Sequence, residues 1–368
     1  MEHSSGTLSR SQIKTLSLAA LGGALEFYDF VIFVFFATTM GALFFPPDMP
    51  EWMRLVQTFG IFAAGYLARP LGGIVMAHFG DLHGRKRMFM LSILLMAIPT
   101  LLMGLLPTYA QVGVLAPLLL LLLRIMQGAA IGGEAPGAWV FVTEHVSDRH
   151  RNLACGALSA GLCAGILIGS LVARGIHASL APEQVLDWGW RLPFLLGGAF
   201  GLVAMYLRRL LHETPVFTEM QARRALSAEL PLKNVLRAHR GAVMLAMLLT
   251  WLLTAAVVVT LLMMPTLLQG LGVQRGAALS ANTLAITGTV IGNLVLGWLA
   301  DRFGAGRVLA LCSALLGASF WMFYSAVLAD DFSPALYVLA GLSVGLTALV
   351  PAIAVSGFPA PVRFSGLS

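Results

Sequence analysis

Ten stretches of roughly 20 mostly apolar residues run along this chain, the length an α-helix needs to cross about 30 Å of hydrocarbon. They lie near residues 17–44, 53–79, 88–107, 112–135, 153–175, 190–210, 241–268, 278–300, 307–328 and 334–357. The sequence is 58% hydrophobic and 11% charged, with a mean hydropathy of +0.85. A soluble fold of 368 residues cannot hide that much apolar surface in its cores. The chain therefore reads as an all-α polytopic membrane protein. Arg10 and Lys14 precede a first apolar segment too long for the core of a cleavable signal peptide, so that segment stays as a span.

A net charge of +6 could suggest nucleic acid as a partner, but the basic residues lie in alternate loops. With the N-terminus placed in the cytoplasm, 17 of the 23 lysines and arginines fall on that side. Arg54, Arg174, Arg191 and Arg275 fall on the other, and Arg69 and Arg124 fall within spans. This is the positive-inside pattern of a membrane protein with a cytoplasmic N-terminus, and after ten spans the C-terminus is cytoplasmic too. Nucleic acid is not implied, membrane lipid is, and oligomeric state is open. The only long hydrophilic stretch, residues 211–240, divides the chain. A tail (1–16) and six spans (17–210) precede this basic cytoplasmic linker, and four spans (241–368) follow it.

Cys155, Cys163 and Cys312 sit inside apolar spans without metal-ligand spacing and read as small packing residues. His78 and His83 have no second ligand nearby, so no metal and no cofactor is expected. No HExxH, P-loop or nucleophile elbow occurs, which argues against an enzyme. Glycines four apart recur at Gly128 and Gly132, Gly161 to Gly169, Gly288 and Gly292, and Gly341 and Gly345. Such ridges let helices approach closely in lipid, whether to pack or to slide.

Five ionisable residues lie at membrane depth: Glu26, Asp29, Arg69, Arg124 and Glu134. Each costs at least about 2.5 kcal/mol at a helix centre, so each needs a partner or water. Glu26 and Asp29 share one face of span one, and Arg124 shares a face of span four with Gly128 and Gly132. The two helices can offer opposite charges to one cavity, as a proton switch or as a permanent staple. Arg69, near the inner end of span two, can join them or snorkel to the surface.

One short sequence occurs twice, with its aspartates 220 residues apart. The first copy is Gly80-Asp81-Leu82-His83-Gly84-Arg85-Lys86, and the second is Gly297-Trp298-Leu299-Ala300-Asp301-Arg302-Phe303-Gly304. The repeat at corresponding boundaries indicates a duplicated bundle, a common plan for transporters.

These loops resemble the signature of the major facilitator superfamily, which joins spans two and three and recurs between eight and nine. Further runs resemble its metabolite:proton symporter family. They are Glu26-Phe27-Tyr28-Asp29-Phe30, Arg69-Pro70-Leu71-Gly72, Arg124-Ile125-Met126-Gln127-Gly128 and Gly132-Gly133-Glu134. Trp190-Arg191-Leu192-Pro193-Phe194, Glu213-Thr214-Pro215-Val216-Phe217 and Pro361-Val362-Arg363-Phe364-Ser365-Gly366 follow in the same order. The resemblance implies two pseudo-symmetric helical bundles and twelve spans, of which this chain carries ten and lacks the last two.

It also implies proton-coupled symport of a small organic acid or zwitterion, such as 2-oxoglutarate, citrate, shikimate, proline or betaine, across the cytoplasmic membrane by alternating access. A span five without the Gly-Pro pair of drug antiporters points the same way. On this reading Asp29, Arg124, Glu26, Glu134 and Arg69 serve proton and substrate. Gly80, Asp81, Gly84, Arg85, Lys86, Gly297, Asp301, Arg302 and Gly304 form the gating loops. Asp301 is expected to face the start of span five near Asn152. Asp81 is expected to lack its dock on span eleven, and Leu82 replaces the usual arginine. The alternative is a truncated, non-transporting remnant or substrate sensor of the same family.

Overall fold

Ser9 starts the first helix by a reciprocal cap: its Oγ accepts from the backbone N–H of Gln12, and its own N–H donates to Gln12 Oε1 at 2.9 Å. In a computed structural model, which describes residues 9–83, 85–209, 239–359 and 363–367, the chain is a bundle of long helices. The side chains of 77–83, 85–90, 134, 208–209 and 364–365 fall outside that description. The helices are α1 (Arg10–Phe35), α2 (Glu51–His83), α3 (Arg85–Leu105), α4 (Leu115–His145) and α5 (Arg151–Ser179). They continue as α6 (Arg191–Arg209), α7 (Arg240–Gly270), α8 (Arg275–Phe303), α9 (Ala305–Leu328) and α10 (Pro334–Ser356). No strand occurs among the described residues.

These ten helices sit where the ten spans were expected, and eight of them are long and apolar enough on their own to cross a membrane. The other two depart from the expectation for identifiable reasons. The sixth is bent by 45° where Pro182–Gly189 meets Arg191–Leu207, around the fully buried Trp190. The apolar part of the third covers only Leu91–Leu105 among the described residues. Arg191 pins the bend by donating to the carbonyls of Gly104 and Leu106 at 2.8 and 2.9 Å. Most of the expected linker, 210–238, lies outside the described residues.

Without a hydrophobic drive between helices in lipid, small residues decide which backbones meet. At the α2–α4 crossing a Cβ on Gly128 would collide with the carbonyl of Gly65, and one on Gly132 with the carbonyl of Arg69. At the α5–α8 crossing a Cβ on Gly156 would lie 2.5 Å from the Asn293 carbonyl, and one on Gly297 2.7 Å from that of Asn152. Gly161 and Gly165 set α5 against α1 at Ala20 and Ala24, and Gly292 and Gly341 set α8 against α10. The burial is uneven as a result. The apolar window of α1 is 78% buried within the bundle, but that of α7 only 17% and that of α9 only 28%.

α7 and α10 are each interrupted near the middle. A π-turn, Val258–Met263, interrupts α7, and a 3-10 turn, Gly345–Ala348, interrupts α10. Such turns free backbone groups inside a helix and often mark mobile or functional segments.

Candidate functional site

Arg124 of α4 is wholly buried against α1, α2 and α3. Its Nη1 donates to the backbone carbonyl of Phe30 at 3.1 Å and to Gln127 Oε1 at 2.8 Å. Gln127 donates onward to Thr100 of α3 at 2.6 Å, and Thr100 donates to the Met96 carbonyl. The guanidinium lies 4.5 Å from the ring centre of Phe30, 4.6 Å from Phe33 and 5.0 Å from Phe62.

Arg69 of α2 lies beside it, 3.8 Å from the Tyr66 ring and 4.6 Å from the same Phe30 ring. Arg69 is half-buried, with its Nε and Nη2 covered and its guanidinium against the same Phe30 ring as that of Arg124. Phe30, Phe62 and Tyr66 pack with their centroids 5.1 to 5.4 Å apart, so three rings and two guanidiniums form one cluster. Nε and Nη2 of both arginines have no hydrogen-bond partner.

Asp29 is also buried, but it turns away from this cluster. A Cβ on Gly197 of α6 would lie 2.6 Å from its Oδ1, and one on Gly201 3.7 Å from its Oδ2. Neither carboxylate oxygen has a hydrogen-bond partner. Successive helical residues point about 100° apart. Phe30 therefore takes the direction of α2 and α4, where Arg124 binds its carbonyl, while Asp29 faces α6. The Asp29–Arg124 staple allowed by the sequence is not formed. Glu26 is buried one turn earlier on α1. Glu134 lies on α4, with its side chain outside the described ones.

A second polar system runs along the seam where α5 meets α8 and α10. At one end Asp301 accepts from the backbone N–H groups of Asn152 and Leu153, each at 2.9 Å, where α5 begins. That is the partner expected for it. Asn293, in the same seam, donates to Cys163 Sγ at 3.5 Å and to the Thr289 carbonyl at 3.0 Å, and accepts from Thr347 at 3.0 Å. Ser170 and Thr283 share a hydrogen bond at 2.8 Å, and at the far end Arg275 meets His177 at 2.7 Å.

Around the loop, Gly304 ends α8 with φ +93°, and Arg302 is exposed, within 5.8 Å of the Trp298 and Phe303 rings. The side chains of Asp81, Arg85 and Lys86, and Gly80 with them, lie outside those described, and Gly84 lies outside the described residues. Sequence reasoning missed Asn293, Thr347, Ser170, Thr283 and Thr100. Their one signal in the sequence is an uncharged polar residue at membrane depth, weaker than that of a charge there. Among the described residues no group of His, Cys, Asp or Glu could hold a metal ion.

The family model described as Major Facilitator Superfamily matches residues 19–366. The chain is 32% identical over 373 aligned positions to the glycine betaine/proline/ectoine/pipecolic acid transporter OusA of Dickeya dadantii, covering 96% of this chain and 73% of that protein. It is 35% identical to the inner membrane metabolite transport protein YhjE of Escherichia coli, covering 97% of this chain and 83% of that one. A proline/betaine transporter of Salmonella typhimurium is 38% identical over 206 positions, 56% of this chain and 41% of the relative's length. Among solved structures, the proton:xylose symporter XylE bound to 6-bromo-6-deoxy-D-glucose superposes with a TM-score of 0.76 at 16% identity, covering 97% of this chain and 84% of XylE. At that identity the likeness is one of fold.

Proposed function

The chain belongs to the major facilitator superfamily, and from that premise we propose that it is a proton-coupled symporter for a small organic acid or zwitterion, working by alternating access. It is a multi-pass membrane transporter of that superfamily and not an enzyme. The observation that carries the proton-coupled reading is Asp29, a buried carboxyl group with no hydrogen-bond partner, set against the bare backbone of Gly197 and Gly201. An ionisable group so placed must exchange its proton as the bundle covers or exposes it.

Asp29 is thus the proton carrier, and Arg124 the anchor for a substrate carboxylate. Glu26 and Glu134 tune the site from the same two helices. The halves, α1 to α6 and α7 to α10, rock about the α5–α8 seam with both termini in the cytoplasm. The loop at Asp301 then lies on the cytoplasmic side, and the His177–Arg275 contact on the opposite side. Relatives named for glycine betaine, proline, ectoine and pipecolic acid support the zwitterionic end of the substrate range.

Uptake into proteoliposomes under an acid-outside gradient is the test. Accumulation should collapse with the gradient, and Asp29→Asn should equilibrate solute without concentrating it. Accumulation that survives either change overturns the coupling.

A further inference from the structure

We propose that a small cavity between the two halves, at the end of the α5–α8 seam opposite Asp301, is a site for a single monatomic anion of the halide class. Its walls come from the end of α1, the short helix Ala37–Phe44 that continues it, α7 and the first turns of α8. Four of the lining residues carry hydrogen-bond donors: Thr38 from the first half, and Thr266, Gln269 and Arg275 from the second. Gln269 spends one amide N–H on the Pro265 carbonyl at 2.9 Å and keeps the other. Among the described residues no carboxylate lines the cavity.

Arg275 makes this space positive. Its Nη2 meets the neutral His177 Nε2 at 2.7 Å, which supplies no countercharge. Its Nε is buried and has no hydrogen-bond partner. The first turn of α8, which starts at this residue, holds no acidic side chain, so nothing there offsets the guanidinium. A buried N–H without an acceptor costs free energy, and an anion supplies the acceptor and the countercharge together. A water molecule accepts from Nε but leaves the charge uncompensated.

Size selects among anions. The cavity measures about 10 Å³, on the scale where one water needs about 10 to 15 Å³. A monatomic ion fits that space, and a carboxylate-bearing solute does not. An adjoining cavity of about 80 Å³ shares Thr38 as a wall residue and gives the ion a way in. It is lined by Arg54, a second arginine whose Nε is buried without a partner, and by Glu51, whose exposed charge is screened by solvent. Because the donors around the smaller cavity come from both halves, a bound anion ties them together at this end. Neither the site nor its occupant depends on which solute is carried.

The experiment is equilibrium dialysis of bromide against the purified full chain in gluconate buffer. Binding should saturate at a single bromide per chain and be competed by chloride but not by acetate. Arg275→Gln should weaken it by about 10-fold or more, and Thr266→Val, which removes an uncharged donor, by about 3-fold. Thermal melting reports whether each variant is folded, and Thr266→Val stands as the second test if Arg275→Gln is not. Spin labels at Asp48→Cys and Leu271→Cys, in a background without the native cysteines, should lie closer in bromide than in gluconate. Absence of saturable binding, competition by acetate equal to that by chloride, or unchanged affinity in the folded variants overturns the site. A distance that does not respond to bromide overturns the tie between the halves.

Discussion

The carboxylate of Asp301 holds Asn152 twice, through its backbone N–H and its side-chain amide, both at 2.9 Å. With Leu153 N–H as a third donor, the aspartate satisfies the open N-terminus of α5 and opposes its dipole. The contact joins the last turn of α8 to the first turn of α5, so it holds these two helices together at one end of their seam. Asp301→Ala should cost about 2 kcal/mol of that contact, as for a lost charge-assisted bond set. Cys155, buried one turn along α5, reports it. In a Cys163→Ser, Cys312→Ser background, maleimide should label Cys155 faster in Asp301→Ala than in the parent. Equal rates would show that the seam does not depend on Asp301.

The α2–α4 crossing depends on an absence of side chains. Gly128→Ala sets a methyl into the Gly65 carbonyl, and the backbones must separate, at a cost on the order of 3 kcal/mol. Gly306 near the start of α9 meets nothing within 4 Å, so Gly306→Ala should be neutral or slightly stabilising from helix propensity. Thermal unfolding of the two variants in one detergent compares them directly. A similar melting point for both would remove close approach as the organising feature of that crossing.

Gly197 tests the surroundings of Asp29 without changing the carboxyl group. A methyl there lies 2.6 Å from Asp29 Oδ1 and 2.7 Å from Thr100 Cγ2, so the carboxyl group must move. Gly197→Ala should lower gradient-driven accumulation by roughly 10-fold or more, the scale of loss when a reacting group is displaced by an ångström. Substrate binding should fall less than accumulation does, since the methyl reaches the Arg124 network only through Thr100, which accepts from Gln127. Loss of binding with coupling intact would reverse the roles assigned to the two faces.

The helices and the Asp301 partner were legible in the sequence because each depends on local pattern: apolar length, and a motif repeated at a fixed place. The relation of Asp29 to Arg124 was not. Both residues mark the right helices, but one residue of rotation on α1 sends Asp29 to α6 and gives Arg124 a backbone carbonyl instead of a carboxylate. The Asn293–Thr347 bond joins residues 54 apart, and the Ser170–Thr283 bond residues 113 apart. No periodicity within either helix specifies such a pairing. Arg69 illustrates the same limit: its depth in span two was readable, but the Tyr66 and Phe30 faces that hold it there come from packing.

His177 and Arg275 close the other end of the α5–α8 seam, and their contact depends on pH. Arginine has five donors and no acceptor, so the 2.7 Å approach of its Nη2 requires an unprotonated His177 Nε2. Phe36, just past the end of α1, stacks on the imidazole at 5.3 Å and contributes no charge, leaving Arg275 as the charged group in contact with the ring. The contact is therefore present when the histidine is neutral and is lost as pH falls through the histidine's pKa, which burial and the neighbouring Arg275 guanidinium push down to about 4, where two cations would face each other. Spin labels at Ala178→Cys and Gln274→Cys, in a background without the native cysteines, should show a longer distance at about pH 3.5 than at about pH 7.5. Adding His177→Gln supplies a side-chain oxygen that accepts at any pH, and the distance should then stay short throughout. A pH response that persists in His177→Gln would place the titrating group elsewhere in the seam.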